Sequence, residues 1–417
     1  MPDTAGPKTN AKAGQSVTVQ RETELSLLYR VLRTVIKPLR PRLVQPGKPQ
    51  PAGSPRLANC PKRKDGCKIV ERLHEPTDMW LYDFLPETSS AFVRNAGPGP
   101  LHNVYYFAGG GFQSPPAGQH WSFVGKIASR LAGTHRFTIV SYPLAPNSPA
   151  SESLPALRRL LASLIAESAT AGKKVVLMGD SAGANVALSL GFWWAAHLSK
   201  TIDAYSRKSS FGLGPIETGK PLDLEADMTR LRSVLESIVV VSPASDLRNS
   251  NEQMGKVDPN DPLLGADYTG KVAEAWTAAL PGEVESEFKA ENPHVSPSLN
   301  SALAFKAMVL QKIHVYGIYG TNDVLAPDTD VLRENCEKYG VKGSWMVWEG
   351  QMHCFPLAGI YGMKEGQKGM DWLVKIMREE TKIDHNRLKG DVPLAQLRPR
   401  LSTRGSRISE RSVSGLT

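Results

Sequence analysis

Cysteine is scarce: Cys60, Cys67, Cys336 and Cys354 are the only four in 417 residues. That is too few for a disulfide framework and points to reduced thiols in an intracellular setting. Cys60 and Cys67 do not stand at zinc spacing, and the other two lack companion ligands, so no metal site is expected. No run of about 18 apolar residues occurs, which excludes a spanning helix. Residues 1–16 are polar and lack the apolar core of a secretory signal. Aromatic residues make up only 7%, yet apolar residues reach 41%, enough for a sizeable core in one large domain or two ordinary ones.

An excess of positive charge is missing from the middle of the chain. The formal net charge is +9, but residues 73–385 hold 28 Lys and Arg against 34 Asp and Glu. Residues 1–72 carry 15 against 5, and residues 386–417 carry 7 against 2. A nucleic-acid groove would concentrate basic residues on the folded body, so no nucleic-acid partner is expected.

Residues 1–20 read as a disordered N-terminus, and 386–417 as a disordered basic tail. Within 21–66, Leu25, Leu28, Leu32, Val35 and Ile36 recur at helical spacing among Arg30, Arg33 and Lys37. Pro38 and Pro41 end that helix, and a Pro-rich linker follows over 45–55. The helix suits packing on the main body, the preferred reading. Residues 24–44 also suit a peripheral membrane contact, so the expected location is cytoplasmic or endoplasmic-reticulum-associated.

From residue 67 the pattern is strand-like. Runs at 67–73 and 79–85 form a hairpin around Glu75-Pro76-Thr77-Asp78. Strands at 104–107, 137–140, 174–178, 238–241, 313–319 and 344–348 then alternate with helices at 122–131, 155–168, 182–197, 328–338 and 365–380. This calls for an α/β fold with a mostly parallel sheet covered on both faces. Residues 201–232 read as an inserted loop. Residues 247–292 read as a cap over the carboxyl ends of the strands, inserted into a catalytic domain at 67–385.

The strongest chemical signal is Gly179-Asp180-Ser181-Ala182-Gly183, between an apolar strand and a helix. A sharp strand-to-helix turn there lifts a serine above the sheet, close to the helix N-terminus. Ser181 is the expected nucleophile, and it needs a base downstream. His353 follows the last predicted strand, which puts it at the level of Ser181. His197, His294, His314 and His385 are placed less well. The acid that orients His353 is Asp323, which follows the strand at 313–319, with Asp246 the second choice. Ala108-Gly109-Gly110-Gly111-Phe112 follows the strand at 104–107. Its backbone can turn the N–H groups of Gly110 and Gly111, with that of Ala182, toward an oxyanion.

These motifs together resemble the hormone-sensitive-lipase-like branch of the α/β-hydrolases. This branch includes arylacetamide deacetylases and fungal steryl acetyl hydrolases. The likeness spans residues 67–380. Gly179–Gly183 stands unchanged, Ala108–Gly111 corresponds to His-Gly-Gly-Gly, and Tyr142-Pro143-Leu144-Ala145-Pro146 to Tyr-x-Leu-Ala-Pro. Asp323-Val324-Leu325 corresponds to Asp-x-Leu, and His353-Cys354-Phe355 to His-Gly-Phe. The resemblance implies a carboxylic-ester hydrolase that works through an acyl-enzyme without metal or cofactor. It also implies a cap built from residues 22–44 and 247–292. Two positions depart. Ala108 stands where the family's histidine braces the oxyanion loop, and Cys354 replaces glycine, where its thiol is expected to pack.

The expected substrate is a small neutral apolar ester, of a short acyl group with a sterol-like or secondary-metabolite alcohol. Phe112, Trp121 and Tyr142 are the expected substrate contacts. An acyl-transferring or product-tailoring hydrolase of fungal secondary metabolism is the alternative. A ligand receptor is less favoured, because the plant gibberellin receptors that resemble this family lack the histidine kept here as His353.

Overall fold

In a computed structural model, the structure describes residues 16–40, 45, 47–87, 101–210, 231–232, 234–280, 282–283 and 286–390. The chain divides into a unit of residues 1–376, which holds the whole sheet, and a unit of residues 377–417.

The centre of the sheet is β7 (Lys174–Asp180), whose residues 175–180 are all buried. A strand covered on both faces needs a continuous apolar run, and Val175-Val176-Leu177-Met178 supplies it. Around it lie β5 (His102–Phe107) and β6 (His135–Val140) on one side, and β8 (Leu235–Val241), β9 (His314–Gly320) and β10 (Gly343–Trp348) on the other. These six are parallel. The expected hairpin forms as β3 (Cys67–His74) and β4 (Met79–Pro86), antiparallel to each other, with β4 antiparallel to β6. The short β2 (Arg63–Lys64) closes that edge.

The opposite edge corrects the reading of the N-terminus. Residues 17–20, expected to be disordered, belong to β1 (Val17–Glu22), which pairs in parallel with β10. Val17 and Val19 favour extended backbone, and Val17 is buried. A polar, glycine-bearing neighbourhood hid this short run. The following helix α1 (Leu27–Ile36) accordingly starts later than the sequence periodicity suggested, capped by the Ser26 hydroxyl, which accepts from Tyr29 N–H.

Crossover helices connect the parallel strands: α2 (Gly118–Arg130), α3 (Ala150–Thr170), α4 (Ser181–Ser210), α7 (Ala302–Leu310) and α8 (Ala326–Tyr339). Residues 201–210, expected within an inserted loop, continue α4, and 211–230 lie outside the described residues. The last helix, α9 (Lys364–Gly390), extends past the expected boundary at 385, and the rest of the tail lies outside the described residues. Between β8 and α7 the chain forms α5 (Glu252–Val257) and α6 (Ala266–Thr277), within the insertion expected as a cap.

The chain leaves β5 for β6 on one side and returns to β7 on the other. Strand order therefore reverses between β5 and β7, where two loops splay apart above the carboxyl ends. Ser181 stands at that crevice.

Leu177 is fully buried in β7. Leu177→Ala is expected to cost about 2–5 kcal/mol, seen as a lower denaturant midpoint at unchanged slope. An unchanged midpoint would contradict the placement of β7 at the centre.

Candidate active site

The turn from β7 into α4 is tight. Ser181 has φ +52°, a left-handed conformation that L-residues rarely adopt. The glycines on either side are required by close approach. A Cβ on Gly183 would land on the carbonyl of Phe107, and one on Gly179 would strike the backbone of Gly183 itself. This is the strained strand-to-helix elbow that holds a serine hydroxyl clear of the sheet.

Three expected residues come together here. Ser181 Oγ lies 3.0 Å from His353 Nε2, and His353 Nδ1 lies 2.9 Å from Asp323 Oδ2. Each comes from a loop at the carboxyl end of a different strand: β7, β9 and β10. Asp323 is completely buried, and its other oxygen accepts the N–H of Leu325. Burial alone would lower the basicity of His353. The negative charge of Asp323, its hydrogen bond and the neighbouring Cys354 outweigh it and raise the imidazole well above its usual range. Asp246, the second choice for the acid, is held by Arg248 at 2.6 Å and lines the adjoining cavity.

The glycine loop after β5 faces the same hydroxyl. Gly110 and Gly111 have φ of +135° and +60°. Among the described residues no protein group accepts their N–H groups, whereas Gly109 N–H is committed to Asp180 Oδ1 at 2.9 Å. Ala182 N–H belongs to the first turn of α4, where no carbonyl of the helix can reach it. Gly110, Gly111 and Ala182 line one cavity with Ser181, and an oxyanion site needs donors of this kind.

The brace that Ala108 cannot supply comes from elsewhere. Tyr142 Oη donates to the carbonyl of Ala108 at 2.9 Å, and Asp180 accepts both Gly109 N–H and the hydroxyl of Tyr106. Burial pushes the Asp180 carboxyl up, but His120, 3.4 Å away, together with these hydrogen bonds holds it below its ordinary value. Sequence reading missed Asp180 and His120. Asp180 could have been suspected from its place beside Ser181, while nothing in the pattern marks His120, which reaches in from α2.

The expected substrate contacts divide. Phe112 lines the cavity and stacks on Trp276 of α6, ring centroids 4.4 Å apart. Trp121 does not reach the cavity. It is buried against Tyr82 and Phe84, because its position on α2 faces the sheet. Tyr142 is likewise buried and serves as the loop brace instead.

The cavity above Ser181 measures about 800 Å³, near the upper end of ordinary small-molecule sites. Its walls are mostly apolar, with Leu32, Ile36, Leu263, Val272, Leu357 and Met363 among them. Arg40 ties its two covering segments together. The guanidinium donates to the carbonyls of Asp258, Asp261 and Leu264 and pairs with the Asp258 carboxylate. Asp261 in turn accepts the N–H groups of Leu263, Leu264 and Val324, so the cap touches the loop that carries Asp323. Burial and the nearby Asp323 push the Asp261 carboxyl up to about 6, against the opposing pull of His353. Cys354 is strained at φ +50°, with its Sγ 3.4 Å from His353 Nε2, and burial raises its thiol to about 11. It is packed beside the imidazole as a neutral thiol. Among the described residues no group of His, Cys, Asp and Glu could hold a metal ion.

The profile of a family described by its α/β-hydrolase fold matches residues 104–357. The chain belongs to this α/β-hydrolase family. An esterase of Acinetobacter venetianus is 23% identical over 254 residues, which cover 61% of this chain and 67% of that one. Among solved structures, carboxyl esterase 2 of the mycorrhizal fungus Tuber melanosporum is similar at a TM-score of 0.58. It is 17% identical, with 86% of this chain and 99% of that chain covered. A hormone-sensitive lipase from a metagenome library has a TM-score of 0.53 at 17% identity, covering 86% of this chain and 93% of that chain. In this hydrolase the mostly parallel sheet and flanking helices are those expected from the sequence.

The raised basicity of His353 has a direct consequence. Its imidazole should titrate above 6.5 by NMR, and Asp323→Asn should bring the midpoint down, because the charge that favours the protonated ring is gone. A midpoint at or below 6.5 in the unaltered protein would contradict the electrostatic account.

Proposed function

We propose that this α/β-hydrolase is a serine carboxylic-ester hydrolase whose triad is Ser181, His353 and Asp323. The observation that carries the reading is the continuous contact from Ser181 Oγ through both ring nitrogens of His353 to the buried Asp323 carboxylate. His353 Nε2 takes the hydroxyl proton as Ser181 Oγ attacks the ester carbonyl. The oxyanion that forms is held by the N–H groups of Gly110, Gly111 and Ala182, each worth about 10²–10³ in rate in sites of this kind. His353 then returns the proton to the departing alcohol. Water repeats the sequence on the acyl-enzyme, releasing the acid. Asp323 keeps the ring oriented and stabilises its charged form.

The apolar cavity supports a neutral substrate with a substantial hydrocarbon part, in keeping with an ester of a sterol-like or similarly bulky alcohol. Of the charged groups at its wall, Asp180 is partnered by His120 and Asp246 by Arg248, so neither is poised to select a charged ligand. The esterases among the relatives favour the same chemistry.

Ser181→Ala is expected to lower kcat for short p-nitrophenyl esters by about 10⁴-fold or more, with the thermal midpoint little changed. Asp323→Asn should cost about 10⁴-fold, and Asp246→Asn far less. Turnover retained by Ser181→Ala, or a larger loss from Asp246→Asn, would reject this triad.

A further inference from the structure

Helix α1 carries an apolar stripe that points away from the body. Leu27, Leu28, Val31 and Val35 are 77%, 61%, 54% and 59% exposed. At 100° per residue these four fall within an arc of about 100°. Leu39 extends the stripe into the next turn at 43% exposed. Scattered exposed aliphatics need no explanation, but five on one short segment form a patch that does. The other side of the same helix is anchored. Tyr29 is buried and donates to the carbonyl of Gly350, and Glu365 accepts the N–H of Ser26. The exposed stripe is therefore held in a fixed orientation.

Charge borders this stripe with one dominant sign. Arg30 and Lys37 are exposed on α1 and the turn after it, and Arg33 is half-buried. Nearby Glu24 is the one acidic residue within 24–44, and it is paired with Lys368. An anchored apolar stripe with a cationic edge, formed by Arg30 and Lys37, matches the interface of an anionic bilayer, where aliphatic side chains enter the acyl boundary and basic groups stay among the phosphates.

The stripe also meets the cavity mouth. Leu28 is both largely exposed and part of the cavity wall, and so is Tyr361 at 72% exposed. Leu32 and Ile36, one face further round α1, line the interior. The lip of the site is thus continuous with the exposed stripe.

We propose that the outer face of α1 is a docking surface for an anionic phospholipid bilayer, with the cavity mouth facing the lipid. A hydrophobic ester would then enter from the membrane without crossing water. This last step rests on the reading of the cavity as an ester site, whereas the docking itself does not.

The test is co-sedimentation of the full chain with phosphatidylcholine vesicles, with and without phosphatidylserine. The unaltered protein should sediment with the serine-containing vesicles, less so as salt rises. Val31→Glu and Leu27→Glu lie on the stripe outside the cavity. Each should weaken vesicle binding by about tenfold or more, with unchanged turnover of a soluble short ester. Ser181→Ala should bind vesicles as the unaltered chain does, which separates docking from catalysis. Absence of vesicle binding, equal binding with and without phosphatidylserine, or full binding by Val31→Glu would overturn the proposal. So would a dimer that Val31→Glu dissociates in a chain indifferent to vesicles, since the stripe would then belong to a second copy.

Discussion

The close approach of the β7–α4 turn to the end of β5 is the constraint on which the site depends. Gly183 sits against the Phe107 carbonyl with no room for a side chain. One residue before the serine, Asp180 takes the N–H of the neighbouring glycine loop. The serine turn and the glycine loop are therefore fixed to each other by backbone contact and by one buried carboxylate. Such a carboxylate is costly to bury unless it is fully partnered. Tyr106, Gly109 and His120 provide that partnering here. With Tyr142 they hold the loop that Ala108 leaves without its usual histidine.

A second set of contacts joins the cover to the chemistry. Arg40, just after α1, grips the turn at 258–264. Asp261 of that turn accepts the N–H of Val324, the residue after Asp323. The α6 helix of the cap reaches the glycine loop through Phe112 and Trp276, and Tyr268 and Val272 fill the space beside Gly111. Residues of the N-terminal segment and of the insertion line one largely apolar cavity with Ser181. The burial of Asp323 and His353 is also what makes the charge of Asp323 count so strongly at the imidazole.

Much of this was legible in the sequence, for identifiable reasons. The parallel core shows as unbroken apolar runs because strands such as β7 are buried on both faces. Ser181, His353 and Asp323 are readable because each follows a strand, and an α/β sheet gathers such loops at one end. The edge strand β1 was not legible, since a six-residue run in polar surroundings gains its stability from pairing with β10, some 320 residues away. Trp121 and Tyr142 were misassigned for a related reason. Proximity in sequence to the glycine loop does not say whether an aromatic ring faces the cavity or the sheet. The His120–Asp180 contact joins α2 to β7, and no local pattern encodes it.

The account stands or falls on the reactivity of Ser181. Labelling the intact protein with a fluorophosphonate, followed by peptide mass spectrometry, measures this directly. One adduct on Ser181 is predicted, absent in Ser181→Ala and slowed strongly in His353→Asn. Labelling at another residue, or equal labelling of Ser181→Ala, would contradict it.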